Sequence, residues 1–446
     1  MAIKLEPNAR SIAAHVIDRV YGEGAYASAV LDSALERYPE LDPRERALAT
    51  ELAYGALRTA PYLEKRLSKH ASRGNSRIER TVRAHLLVAA YQLLFLERVP
   101  PFAAVSEAVR LIGGARGKRV GAFANAVLRR LSEEAVAADK RAALETATKE
   151  SVSPELRHAL VRSVGEIEAD ALVETAMAPA VGLRVRWGAD RQASLDELSK
   201  AARGASFEPG RVSPVAIQMR GGSDPQKLPP YREGRIAIQE EGAQVVALSL
   251  GASPGDSVLD ACAGRGNKTA LLAEMVGPRG AVDAADLHPQ KLARLTAELA
   301  RLGVAPRSTF AVDWTVGSGD VPVGYDRVLV DAPCSGTGTI GRRPDLVTRW
   351  RVSNLEELLG LQSKILVAAS ERVRPGGAIV YAVCSVLCEE GEDVVARALE
   401  RAPWLSRAVF PPGPARTLAG EAQTLRLTPL AHGTDGYFLA SLRRRT

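Results

Sequence analysis

Ser257-Val-Leu-Asp260, followed at once by Ala261-Cys262-Ala263-Gly264-Arg265-Gly266-Asn267-Lys268-Thr269, decides the fold of this chain. A short apolar strand ends in an acid, a glycine turn follows, and a helix runs on through Leu271, Leu272 and Val276. Glycines at such a turn let a ligand approach the backbone, and the helix amino end favours a carboxylate or phosphate. The turn is not a P-loop, which needs glycines where Cys262 and Asn267 stand, and it lacks the three-glycine dinucleotide fingerprint.

Downstream, strands and helices alternate, which implies a parallel sheet wound with helices. A strand over Ala281–Ala285 ends at Asp286, 22 residues after Gly264. An acid at that separation accepts hydrogen bonds from ribose hydroxyls. A third strand ends at Asp313, expected at an adenine edge, and a fourth, Arg327–Val330, ends at Asp331. A surface cap explains any one of these acids; four at four successive strand ends exceed structural need. Cys334, in Asp331-Ala-Pro-Cys-Ser-Gly-Thr-Gly338, and Cys384, in Tyr381-Ala-Val-Cys-Ser385, also follow predicted strands. The carboxyl ends of parallel strands form a ligand crevice, so both thiols are candidates for covalent chemistry. Free cysteines also serve as small buried hydrophobes, but the acids, prolines and glycines around these two favour chemistry.

Upstream, residues 1–135 read as all-helical. Ile12, Val16 and Val20 share a helix face, and Asp42-Pro43 is a cap with proline at the first helical position. Leu48, Leu52 and Ala56 continue a stripe, Leu86 to Leu96 is a buried helix, and Gly113-Gly114 is expected to end a helix carrying Val105, Val109 and Ile112. A last helix holds Phe123, Val127, Leu128 and Leu131, with Arg116, Lys118, Arg119, Arg129 and Arg130 around it. This third of the chain has 21 Lys and Arg against 15 Asp and Glu, which is +6 of the net +7. So uneven a charge suggests a polyanion partner, against the plainer reading of a solvated basic surface. Residues 136–235 are expected to be a helical linker and a small α+β insert, without internal repeats, in which Leu183, Val185 and Trp187 alternate with Arg184 and Arg186 as a strand. The insert is a candidate RNA platform, and residues 236–446 form the cofactor half.

At 446 residues, and roughly 150 per domain, about three domains are expected. Residues 1–20 mix charged and apolar positions, so no secretion signal is read there, and no apolar run approaches the roughly 20 residues that span a bilayer. Four cysteines without a Cys-x-x-Cys pair argue against zinc, and the expected reducing compartment, the cytoplasm, argues against disulfides. Neither a metal nor a membrane partner is expected.

Two families carry these motifs. The string Gly121-Ala-Phe-Ala-Asn-Ala-Val-Leu-Arg-Arg130 and its surroundings resemble the NusB-type RNA-binding helical domain. The second half resembles the ribosomal-RNA cytosine-5 methyltransferases of the Sun/Nop2 group. That resemblance rests on Gln239-Glu-Glu-Gly-Ala-Gln244, Asp260 to Thr269, Asp286 with Leu287-His288-Pro289, Asp313, and Asp331 to Gly338. It rests equally on Arg342-Arg343-Pro344-Asp345, Tyr381 to Ser385, and Asp435-Gly-Tyr-Phe-Leu-Ala440. The expected architecture is an all-α NusB-like domain, the insert, and an α/β Rossmann-like S-adenosylmethionine methyltransferase domain. The combination is similar to bacterial enzymes that modify small-subunit ribosomal RNA.

The resemblance implies a cofactor site of Cys262, Ala263, Gly264, Arg265, Gly266, Asn267, Lys268, Asp286, Asp313 and Asp331. It makes Cys384 the nucleophile on carbon 6 of cytosine and Cys334 the assistant in proton removal or product release. Asp331 and Lys268 would position the base and stabilise charge on it. A rival assignment makes Cys334 the nucleophile, since DNA cytosine methyltransferases carry theirs after proline. Two departures stand out. The family pattern Ala-Pro-Gly-Gly-Lys is replaced by Ala263-Gly-Arg-Gly-Asn-Lys268, and Val383 stands where a threonine usually precedes the second cysteine. Two other classes stay open: an RNA-binding assembly or antitermination factor with weakened or lost activity, and a nucleotide-dependent oxidoreductase, disfavoured by the missing fingerprint.

Overall fold

The computed structural model describes residues 5–71, 78–135, 139–174, 180–222 and 224–446. Parts of the expected linker and insert, at 136–138, 175–179 and 223, lie outside these. The chain divides into two compact units, Met1–His158 with Ile340–Trp350, and Ala159–Thr339 with Arg351–Thr446. No helix of the described residues is long and apolar enough to cross a membrane.

The first unit is helical. Asp42 caps the helix Pro43–Arg58 by accepting from Arg44 N–H at 2.7 Å and Glu45 N–H at 2.9 Å. The helix Arg80–Phe95 is the centre of the unit, with both Leu86 and Leu87 fully buried; Ile12, Val16 and Leu52 join the same core. Gly113-Gly114 does not end its helix, contrary to expectation: the helix runs Pro101–Arg116 and stops at Gly117, whose φ is 85°. The reason is packing. A Cβ on Gly121, in the next helix Lys118–Ala135, would stand 3.1 Å from the Gly113 Cα, so the glycines permit a close helix crossing. The segment Ile340–Trp350 belongs to this unit. Arg58 donates to the Gly341 carbonyl at 3.2 Å, and the guanidinium carbons of Arg343 and Arg349 lie 5.3 and 4.4 Å from the Tyr26 ring centroid.

The second unit holds two sheets. Its smaller, antiparallel sheet comprises β1 (Val181–Val185), β2 (Ala205–Pro209), β3 (Ala216–Gly221) and β4 (Ile236–Ile238), in the order β2-β3-β1-β4. The larger sheet comprises β5 (Ser257–Asp260), β6 (Ala281–Asp286), β7 (Ser308–Ala311), β8 (Tyr325–Asp331), β9 (Val373–Val383), β10 (Leu405–Arg407), β11 (Thr424–Leu427) and β12 (Tyr437–Arg444). Its order is β10-β12-β9-β8-β5-β6-β7, with β11 on β12. From β5 the chain winds to β6 and β7 on one side and then to β8 and β9 on the other, all parallel. The order therefore reverses between β5 and β8, the point at which open α/β sheets bind ligands. β12 enters antiparallel against β9.

The motif Gln239–Gln244 joins the two sheets. Glu241 is fully buried and accepts from Val212 N–H at 2.6 Å, Ser213 N–H at 2.8 Å and Gln218 Nε2 at 2.8 Å. Gln244 donates to the carbonyls of Leu183 at 3.1 Å and Gln239 at 2.9 Å. A second joint was not expected. β1 stops at Val185, leaving Trp187 exposed, whereas Arg184 has no exposed side-chain surface. Arg184 points at Glu274 of the helix Asn267–Val276 and makes a two-pronged pair at 2.6 and 3.1 Å. The alternation predicts arginines facing water; a buried carboxylate on a distant helix inverts that for Arg184.

Breaking one side of a buried ion pair strands the other charge. Arg184→Ala should therefore destabilise this unit by about 3–5 kcal/mol, and the paired Arg184→Met, Glu274→Leu variant should recover most of it. Urea unfolding followed by tryptophan fluorescence checks this, since Trp187, Trp314 and Trp404 all lie in the unit.

Candidate active site

β8 and β9 are neighbours in parallel register, with Asp331 opposite Ala382. Their carboxyl ends are therefore level, and the residues just beyond them meet. Cys384 directly follows β9, Cys334 lies three residues beyond β8, and their Sγ atoms are 3.2 Å apart. Four of the ties that hold the Cys334 loop run to Ala382, Cys384, Ser385 and Gly436. Ala332 N–H donates to the Ala382 carbonyl at 2.9 Å, and Gly338 N–H to the Cys384 carbonyl at 3.1 Å. The Thr337 and Ser385 hydroxyls bond at 2.8 Å, and Gly436 N–H donates to the Gly338 carbonyl at 2.8 Å. A Cβ on Gly338 would overlap the Gly436 carbonyl, so the loop reaches the start of β12 only as bare backbone.

Lys268, in the first turn of the helix after the glycine loop, spans the switch point to Asp331, Nζ to Oδ2 2.6 Å. Burial works against its ammonium, but the charge and hydrogen bond of Asp331, with Asp260 and Cys384, more than offset this and hold Lys268 above the usual lysine value. Lys268 is thus a fixed cation. Cys334 is pushed well above the usual thiol range, first by its hydrogen bond with Cys384, then by burial and by the charges of Cys384, Glu390 and Asp331. These influences together keep the Cys334 thiol protonated.

The remaining acids differ in setting. Asp286 is nearly buried and accepts from Gly264 N–H at 3.0 Å and His288 N–H at 2.9 Å, so it shapes the glycine loop; Lys291 lies 3.5 Å away. Asp260 is buried and accepts from the Thr269 hydroxyl at 2.7 Å. Asp313 stands two residues past β7, exposed, and its carboxylate closes a turn on the Thr315 amide at 2.9 Å and hydroxyl at 2.7 Å. The structure thus brings Cys334, Cys384, Asp331 and Lys268 together, and Asp286 to the loop of Cys262, Ala263, Gly264, Arg265, Gly266 and Asn267. Arg265 and Asn267 are exposed, and Cys262 is raised well above the usual thiol range by burial and by Asp260, Asp331 and Asp286. Gly266, at φ 89°, is wedged against Leu295, whereas a Cβ on Gly264, at φ 57°, would meet nothing within 4 Å. One glycine serves packing and the other leaves an open face.

Sequence reasoning missed Glu390 and Gln362, which are fully buried beside the Cys334 loop. The acid run Glu389-Glu-Gly-Glu-Asp393 reads as a solvated surface, and nothing local marks one of its carboxylates as interior.

A doubly wound sheet with this order, a glycine loop and acids at the switch point, and an antiparallel strand beside β9 define a Rossmann-like methyltransferase. The model of the 16S rRNA methyltransferase RsmB/F family matches residues 247–443, and that of the NusB family matches residues 7–133. Ribosomal RNA small subunit methyltransferase B of Enterobacter sp. (strain 638) is 32% identical over 436 residues, covering 98% of both chains. Rv1407 of Mycobacterium tuberculosis (strain ATCC 25618 / H37Rv), which carries a methyltransferase name, is 36% identical over 470 residues, 99% of this chain and 97% of that one. The solved structure of PH0851 superposes with a TM-score of 0.81 at 22% identity, covering 100% of both chains. The chain belongs to the RsmB/F family of 16S rRNA methyltransferases and carries a NusB-family helical domain.

Burial raises Asp260 from 3.8 to about 6, despite the opposing hydrogen bond of Thr269 and charge of Lys268. Between those values the folded chain holds a proton that the unfolded chain releases, so stability falls as pH rises through the window, by roughly 3 kcal/mol in all. Asp260→Asn cannot ionise and keeps an acceptor for Thr269. Unfolding curves from pH 4 to 7 should show the wild type losing stability relative to this variant; parallel pH dependences would exclude the titration.

Proposed function

We propose that this chain transfers a methyl group from S-adenosylmethionine to carbon 5 of a cytidine in small-subunit ribosomal RNA, through a covalent adduct with Cys384. The observation that carries this reading is the pair of thiols 3.2 Å apart beside the Lys268–Asp331 ion pair. Carbon 5 of cytosine is a poor nucleophile. Addition of the Cys384 thiolate at carbon 6 turns the ring into an enamine and raises electron density at carbon 5; cysteine suits this because its thiolate is strongly nucleophilic. Bound S-adenosylmethionine supplies an electrophilic methyl group. Once carbon 5 carries the methyl, Cys334, having given its own proton to solvent, takes the carbon 5 proton as thiolate, the carbon 5–carbon 6 double bond re-forms, and Cys384 departs as thiolate. Lys268 holds Asp331 against the flipped base, and its charge offsets negative charge developing there.

The residues present fit the cofactor. The loop face over Gly264 is open, the amino end of the helix Asn267–Val276 follows it directly, and Asp286 stands beside the Gly264 amide. Asp286 is the acceptor for ribose hydroxyls, and the loop through Asn267 and Lys268 would hold the methionine carboxylate. Asp313, turned toward Thr315, would have to reorient to meet an adenine edge.

Reaching both a thiol and a methyl donor requires an unstacked base, which single-stranded RNA provides most cheaply. The helical unit would choose the RNA region through phosphate contacts. Arg116 is paired with Glu79, so Lys118, Arg119, Arg129 and Arg130, all exposed, are the residues offered to RNA. The place of work is the cytoplasm, with its ribosomes.

Two experiments test the reading. Cys384→Ala should abolish methyl transfer and form no adduct, whereas Cys334→Ala should accumulate a protein–RNA species that survives denaturing electrophoresis when S-adenosylmethionine is present. The opposite pattern would exchange the roles of the two thiols, and dependence on neither would end the covalent mechanism. Asp286→Ala should weaken S-adenosylmethionine binding by roughly 1.5–3 kcal/mol, the worth of a hydrogen bond to a charged acceptor. Calorimetry giving an unchanged affinity would remove Asp286 from the site, and a wild type that binds none would favour an RNA-binding assembly factor.

A further inference from the structure

The turn after Cys384 is wound as a π-helix over Glu389–Asp393. Such widened turns are rare and concentrate at functional sites. Here it turns the Glu390 side chain inward, where it has no exposed surface, and the Tyr381 hydroxyl fastens the turn by donating to the Glu390 carbonyl at 2.7 Å. Among the described residues the carboxylate accepts three hydrogen bonds, all from neutral groups: Ser335 N–H at 2.7 Å, Gln362 Nε2 at 2.9 Å and the Ser335 hydroxyl. Gln362, from the helix Leu355–Ser370, shares its nitrogen with the Pro333 carbonyl at 2.9 Å. Pro333 and Ser335 are the two neighbours of Cys334. Two buried side chains from other elements therefore grip the backbone on both sides of that cysteine. A charge buried without a cation costs several kcal/mol, a cost that holding an uncharged loop does not by itself require.

We infer that Glu390, with Gln362, is the positioning residue that sets Cys334 against Cys384 and governs the step Cys334 performs after methyl transfer. This rests on the function proposed above. Position and charge act together. The clamp places the Cys334 thiol at contact distance from Cys384, and the Glu390 charge helps to keep Cys334 protonated until the adduct has formed. Other groups facing Cys334 are Tyr381 from β9, Cys384 just past its end, and Asp331 from the end of β8, the last paired with Lys268. In the release step Cys334, having given its proton to solvent, takes the proton of carbon 5. The electron pair of that carbon–hydrogen bond forms the ring double bond, and the carbon 6–sulfur pair leaves with Cys384.

Position and charge separate experimentally. In Glu390→Gln an amide oxygen can still receive Ser335 N–H and Gln362, and its amino group can donate to the Ser335 hydroxyl, so the clamp survives without its charge. Decay of the RNA adduct, followed across pH in single turnovers, should keep a wild-type plateau while its rising limb moves to lower pH, by on the order of one unit. A merely structural residue would leave that limb in place. Glu390→Ala breaks the clamp: decay should slow on the order of tenfold or more, with adduct accumulating as in Cys334→Ala and S-adenosylmethionine affinity unchanged. If Cys334→Ala traps adduct while both Glu390 variants decay as wild type, the clamp is overturned and the cysteine roles stand. If Cys334→Ala traps none, the function reading itself falls. Should Glu390→Ala not fold, an unmoved limb in Glu390→Gln overturns the inference alone.

Discussion

The register of β8 on β9 is the constraint on which the catalytic half depends. With Asp331 opposite Ala382, the two parallel strands end together, so a loop leaving one and a residue leaving the other occupy the same small volume. A shift of one residue would turn every side chain of the strand to the other face of the sheet. The ties beyond the strand ends, from Thr337 to Ser385 and from Gly338 to Cys384 and Gly436, extend that register into the loop. The thiol contact is the end product of strand pairing and of the ties on the loop beyond it, rather than of attraction between the thiols.

Around this pair the charges are unevenly shared. Lys268 is held positive by Asp331, Cys334 is held protonated by its neighbours, and Glu390 is buried and, among the described residues, bonded to neutral groups. Each of these groups sits on a different element: the helix after the glycine loop, the loop after β8, and the turn after β9. The site therefore exists only when the whole sheet is assembled.

Much of this was legible in the chain because it is local. The strand Ser257–Asp260, the glycine turn and the helix behind it follow from apolar pattern and turn chemistry, as does the Asp42-Pro43 cap. The separation of Gly264 and Asp286 predicts their meeting because one strand, one turn and one helix account for the residues between them. What was not legible depends on distant partners. Arg184 reads as an outward side chain until Glu274, ninety residues on, is placed beside it. Gly113-Gly114 reads as a stop until Gly121 is packed against it, and Glu390 reads as surface charge until the π-turn carries it inside. Asp313 is the reverse case, a strand-end acid whose carboxylate serves its own turn.

The Arg184–Glu274 joint also bears on how this protein behaves in solution. Salt weakens contacts between phosphates and exposed Lys or Arg, because bound counterions are released when they form. It screens charges sealed from solvent far less. The side chains of this pair are 0% and 4% exposed, so ionic strength that strips a polyanion from the surface leaves the small sheet fastened to the large one. A salt titration of complex formation therefore reads the exposed contacts alone.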